Sequence, residues 1–161
     1  MLPASRRSSA PTGSANGTRT SATLARIDTL AAVEAVVNRF LGALAKRDLD
    51  ALVACFAPDV DWHIAGNEAV APWLGRRSGP DEVRDFYELL WAATEMVGFE
   101  LEHILYDGDH CVITGQLSSR MTATGKMFDS MFSGHLTVAD DVITRYRVQE
   151  DSWGLVVALT P

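Results

Sequence analysis

The chain has 161 residues, 47% of them hydrophobic, enough for one domain with a sizeable core and short for two. Its net charge is -7, and because the first 27 residues hold four arginines and no acid, the remainder stands at about -11, which repels nucleic acid and other polyanions. No run approaches the roughly 20 apolar residues of a membrane-crossing helix, and Cys55 and Cys111 lack metal-ligand spacing, so the composition reads as a soluble, cytoplasmic protein.

Residues 1-27 are mostly Ser, Ala, Thr, Gly and Pro, a composition that buries too little apolar surface to offset ordering, and are expected to form a disordered tail before a folded domain of residues 28-161. An Arg- and Ser-rich start can also be a transit peptide, but this one lacks amphipathic periodicity and a secretory apolar core. Leu30, Val33, Val37, Phe40, Leu41 and Leu44 recur at helical spacing and predict a first helix over roughly 29-46. Asp48 caps a second, with Leu49, Leu52, Val53 and Phe56 on its apolar side and Pro58 as its stop. Pro80 starts a third, with Asp81 and Glu82 at its positive end and Val83, Phe86, Tyr87, Leu90 and Thr94 on its buried side.

After Gly98 the period becomes two, and segments 99-106, 110-121, 126-138 and 142-150 read as strands. Asp107-Gly108, Thr124-Gly125 and Ala139-Asp140-Asp141 are short polar turns, which favour antiparallel hairpins. Helices followed by hairpin-linked strands give an α+β domain whose curved, mostly antiparallel sheet wraps three N-terminal helices.

Two stretches carry a family likeness: Val36-Val37-Asn38-Arg39-Phe40-Leu41-Gly42-Ala43-Leu44 running into Asp48-Leu49-Asp50-Ala51-Leu52, and Arg77-Ser78-Gly79-Pro80-Asp81-Glu82-Val83-Arg84-Asp85-Phe86-Tyr87. They closely resemble ketosteroid isomerase and the SnoaL-like polyketide cyclases. The resemblance extends from about Val33 to Gln149 and implies the cone-shaped nuclear-transport-factor-2-like fold, with a deep apolar pocket and pairing into a homodimer through the outer sheet surface. It sets Phe40, Ile64 and Gly134 where the isomerase has its tyrosine donor, its aspartate base and its protonated aspartic acid, and none of these can move a proton. Against limonene epoxide hydrolase, the arginine and two catalytic aspartates fall on Gly115, Leu117 and Val148, and its cavity tyrosine and asparagine on Trp62 and Ile64. The frame is shared and the acid-base groups are replaced.

The expected ligand-binding wall is Phe40, Trp62, Ile64, Trp73, Tyr87, Leu117, Phe132 and Val148, which suits a small hydrophobic ligand but also describes a filled core. Alternation on the last strand puts Thr144, Tyr146, Val148 and Glu150 on one side, offering Tyr146 as hydrogen-bond donor and a desolvated Glu150 as general acid or base. Asp61 and His63 lie two apart on a short strand, where one carboxylate could orient one imidazole as a base; the isomerase register turns this side away from the pocket. Arg145 and Arg147 alternate with Thr144 and Tyr146 and so face the outer surface, and Met127, Met131 and His135 lie on the side opposite the pocket, where a dimer partner would cover them. His103, His110 and His135 sit on different strands, and no metal or cofactor is assigned. The leading expectation is a SnoaL-like protein binding a small hydrophobic molecule as a cyclase, isomerase or dehydratase. The competing one is a noncatalytic ligand-binding or dimerisation module.

Overall fold

Alternating apolar and polar residues build four long strands, β3 (Thr94–Asp107), β4 (His110–Met121), β5 (Met127–Ala139) and β6 (Val142–Gln149), each paired antiparallel with the next. The computed structural model describes residues 15-161, with side chains from Ser21 onward. Two shorter strands, β1 (Phe56–Ile64) and β2 (Gly75–Arg77), extend the sheet to the order β2-β1-β6-β5-β4-β3. Among the described residues only β1 and β6 run parallel, so the sheet is mostly antiparallel, as expected.

Side-chain alternation gives the sheet two unlike faces. Cys111, Ile113, Gly115, Leu117, Ser119 and Met121 of β4 share the inner face with Phe128, Ser130, Phe132, Gly134, Leu136 and Val138 of β5. Against it pack α1 (Ala15–Lys46), α2 (Leu49–Val53) and α3 (Pro80–Ala93), through Val33, Val36, Val37, Phe40, Leu52, Val83, Phe86 and Tyr87. Among the described residues no helix is long and apolar enough to cross a membrane.

Several boundaries differ from the sequence reading, each for a local reason. The expected tail falls partly on residues 1-14, outside those described, while residues 15-27 are the first turns of α1. Nothing from Ser21 to Ala32 is buried, so this extension draws no support from the core. Helix α2 stops at Val53 rather than before Pro58; Ile143 N donates to Cys55 O at 2.8 Å and Phe56 pairs with Ile143, which draws Phe56 into β1. Pro58 then sits where the β1–β6 register shifts, so its missing N–H breaks no ladder bond. Strand β3 begins at Thr94, directly from the end of α3.

Among the described residues the helices number four, not three. The fourth, α4 (Ser152–Leu159), was not anticipated because its run Trp153-Gly154-Leu155-Val156-Val157 reads as well for a strand. Asp151 caps it by accepting from Gly154 N at 2.9 Å, and Leu155 and Ala158 are buried beneath it. Asp48 caps α2 in the same way, accepting from Ala51 N at 3.1 Å, and Pro80 opens α3, both as expected.

One glycine is required by the sheet itself. A Cβ on Gly115 would lie 2.0 Å from the Glu100 carbonyl oxygen and 2.9 Å from a ring carbon of Phe132. Because the carbonyl belongs to the paired backbone, Gly115→Ala should cost about 1–3 kcal/mol or more by overpacking, read as a lower urea midpoint. An unchanged midpoint would show that β3 and β4 can part there freely.

Candidate functional site

Six rings from four elements meet inside the sheet. Trp62 of β1 has its centroid 4.3 Å from Tyr146, 4.8 Å from Phe86, 5.2 Å from Phe56 and 6.2 Å from Tyr87. Phe40 of α1 stands edge-on to both Phe56 and Tyr146 at 5.8 Å. The alternation of β1 turns Phe56, Val60, Trp62 and Ile64 inward, and register sets Trp62 beside Tyr146 and Ile64 beside Val148. Where the sequence anticipates a pocket, these rings are in mutual contact.

The cluster contains polar atoms that its own geometry does not satisfy. Trp62 Nε1 and Tyr87 Oη are buried without a hydrogen-bond partner. Tyr146 lies near enough to couple electrostatically with Tyr87, yet no hydrogen bond of acceptable geometry joins Tyr87 to it. Burial raises both phenols far above their ordinary value, so neither is a base. Leaving a buried donor unpaired costs roughly 1–3 kcal/mol, which an incoming acceptor oxygen would relieve.

Glu150 follows Gln149, the last residue of β6, which pairs with Ser133 of β5, and Glu150 is itself partly buried. The next residue is anchored there, with Asp151 N donating to Ser130 Oγ at 2.9 Å. Burial, and then the neighbouring Asp151 charge, push the Glu150 carboxyl up to about 7. Its charge in turn raises Tyr146. A carboxyl that changes state near neutrality can give or take a proton, and this one stands near a phenol that keeps its proton and is available as a hydrogen-bond donor.

Beyond Phe132 the inner face opens to solvent. Phe99 stacks on Phe132 at 5.2 Å and 23°, over the space that Gly115 leaves free. Met96, Phe99 and Leu101 remain 46%, 48% and 40% exposed although β3 turns them to the inner side, with Leu117 half-buried beside them. The result is an apolar shelf along β3 and β4. Sequence reasoning missed these three residues. The signal was present, since they share parity with Leu117 and Phe132 across the ladder, but pairing and bulges were needed to see it.

The structure divides the other expected site residues. Phe40, Trp62, Ile64, Trp73 and Tyr87 are buried in one core, with Leu117, Phe132 and Val148 packed against it. Asp61 and His63 lie on the outer side of β1 and no hydrogen bond joins them. Asp61 instead takes Arg147 at 2.5 Å and Arg145 at 3.7 Å, and Arg147 holds its carboxyl below the usual carboxylate range. Its alternation was read correctly, but the adjacent strand β6 offers it the Arg147 guanidinium, two residues beyond its register partner Arg145, in place of the imidazole. Among the described residues no three His, Cys, Asp or Glu side chains converge as a metal site.

Residues 37–146 match the model of the SnoaL-like domain family. No curated protein matches the chain. In fold it is similar to an NTF2-like protein from Burkholderia xenovorans LB400, with 22% identity, 80% of this chain and 96% of that one covered, and a TM-score of 0.73. It is also similar to TerC co-crystallised with polyporic acid, at 16% identity, 80% and 98% coverage and a TM-score of 0.70. An LEH-like epoxide hydrolase from M. tuberculosis shares 20% identity over 82% of this chain and 94% of that one, with a TM-score of 0.61. Likeness at these identities speaks to fold and leaves the chemistry to the residues themselves.

Proposed function

Because the chain belongs to the SnoaL-like domain family, we propose that residues 28-161 bind a small hydrophobic molecule against the inner face of the sheet. There they carry out a cofactor-independent cyclase, isomerase or dehydratase step. The observation that carries this reading is the apolar shelf of Met96, Phe99 and Leu101 left open on the inner face, and at the end of β6 the Glu150 carboxyl, which burial pushes up to about 7, supplies the acid or base. The ligand's apolar body lies on Phe99, Leu117 and Phe132, and Glu150 takes a proton from a carbon or oxygen of the ligand or returns one to it. Tyr146 donates a hydrogen bond to developing charge nearby. Trp62 Nε1 and Tyr87 Oη suit an acceptor oxygen that reaches deeper between the rings. A fold relative holding polyporic acid supports a compact organic ligand. We place the protein in the cytoplasm as a homodimer.

Contact among the six rings supports a second reading, a noncatalytic ligand carrier. Native mass spectrometry of the purified protein separates the two. A co-purified molecule should be held by wild type, and when it is supplied as substrate its mass or connectivity should change. Glu150→Gln and Tyr146→Phe should retain the ligand mass and lower turnover, by about 10²-fold or more for the carboxyl if it transfers the proton. Conversion unaffected by both variants would remove their assigned roles, and a ligand held but never altered would make the protein a carrier.

A further inference from the structure

Three of the chain's four histidines and three of its arginines fall in two adjoining rows on the outer face of the sheet. Arg76, His63, Arg147 and His135 form one row across β2, β1, β6 and β5, and Arg145, Thr137 and His110 form the next across β6, β5 and β4. Within these rows lies a hollow of about 350 Å³, lined by His110, His135, Thr137, Arg145, Arg147 and Gln149 among others. That volume falls at the lower end of the range for small-molecule sites. No acidic residue lines it.

The two guanidiniums are held unequally. Arg147 is fixed, with Nη2 on the Asp61 carboxylate at 2.5 Å and Nη1 donating to the Tyr146 carbonyl at 2.9 Å. Arg145 meets the same carboxylate only through Nε, at 3.7 Å, and among the described residues its guanidinium donates no hydrogen bond. One carboxylate thus stands against two cations, and the Arg145 fork is left open. The histidines are oriented by hydroxyls: His110 Nδ1 lies 3.0 Å from Thr137 Oγ1, and His135 Nε2 lies 3.3 Å from Ser133 Oγ. His110 Nε2 is also 3.5 Å from Asp109, whereas His135 Nδ1 has no partner among the described residues.

An open guanidinium fork, an imidazole, a hydroxyl and an amide around one hollow match the acceptor oxygens of a small anion. A polyanion fits poorly, because Glu102 and Asp129, which accept from Gln116 and Ser118, stand further along the same face and would repel its remaining charges. We propose that this hollow binds a small dianion, a phosphate monoester or a dicarboxylate, through Arg145 and His135, with Thr137 and Gln149 completing its hydrogen bonds. The site lies on the opposite side of the sheet from the apolar shelf and does not rest on the function proposed above. Because the ion sits within the hollow rather than on its rim, the proposal is also independent of whether a second copy covers this face.

Isothermal titration at neutral pH with inorganic phosphate and with succinate, at an ionic strength held constant with NaCl, tests it. Wild type should bind one anion per protomer, and Arg145→Gln and His135→Ala should each weaken binding, about tenfold or more for the arginine. Arg120→Gln changes a cation on the same face that Glu95 holds at 3.6 Å, and it should bind as wild type does. Tighter binding of phosphate identifies a phosphate monoester as the ligand class, and tighter binding of succinate a dicarboxylate. Unchanged urea midpoints in Arg145→Gln and His135→Ala should show that lost binding is not lost folding. Heats from both anions no larger than those from NaCl would overturn the site. So would Arg145→Gln binding like wild type, or Arg120→Gln weakening as much as Arg145→Gln, which would reduce the effect to general charge.

Discussion

Glu150→Gln should make the protein more stable at pH 8 and leave it nearly unchanged at pH 4. The carboxyl is raised from 4.5 to about 7 in the folded chain, chiefly by burial, so folding favours its protonated form. Below the unfolded value both states hold the proton and the group contributes no difference. As pH rises through the folded value the native state must carry a buried carboxylate that unfolding would release to water. That loss amounts to roughly 3 kcal/mol between pH 4 and pH 8, since each unit of difference is worth about 1.4 kcal/mol. Glutamine keeps the volume and removes the titration. The Asp61 carboxyl, shifted the opposite way by Arg147, destabilises at acid pH in wild type and variant alike and cancels from the comparison. Urea unfolding at pH 4, 5.5, 7 and 8 should give two curves that coincide at the acid end, part between pH 5 and 7, and run nearly parallel from there to pH 8. Curves parallel over the whole range would mean that Glu150 is solvated and has no special proton affinity. A variant that gains stability while losing turnover would show that the strained carboxyl is kept for its chemistry.

The fold was largely legible because its signals are local. Period-two alternation located four strands, Asp48 and Pro80 marked two helix starts, and the quoted motifs named the frame. What was not legible depends on partners distant in sequence. Whether Asp61 meets His63 or Arg147 is decided by the parallel β1–β6 register, which no turn sets. Phe56 left its predicted helix for the same reason. The inward set was read well at Trp62, Tyr87 and Tyr146, and hydrophobicity alone could not tell a lined hollow from rings in contact, because both demand apolar side chains at the same positions. Met96, Phe99 and Leu101 were invisible for the complementary reason. They face inward by parity, yet the helices stop short of covering them, and the extent of helical cover is a property of packing rather than of any single segment.

Trp62→Ala should be the most damaging single change. Trp62 is 1% exposed and touches four rings, so truncation removes the centre of the cluster and costs about 3–5 kcal/mol, a large share of the roughly 5–15 kcal/mol that holds a typical domain. Tyr87→Phe tests the other half of the same cluster. Tyr87 Oη has no partner, so deleting it should be neutral or stabilising within about 1 kcal/mol, because a buried donor is removed without stranding an acceptor. The two results together separate packing from polarity. A large loss in Tyr87→Phe would reveal a hydrogen bond that the phenol makes in solution. A small loss in Trp62→Ala would mean that the rings yield easily, and that the interior can open to admit a ligand. The expected pair, a costly indole deletion beside a free hydroxyl deletion, describes a rigid aromatic floor whose unsatisfied donors are held ready for an oxygen that the chain itself does not supply.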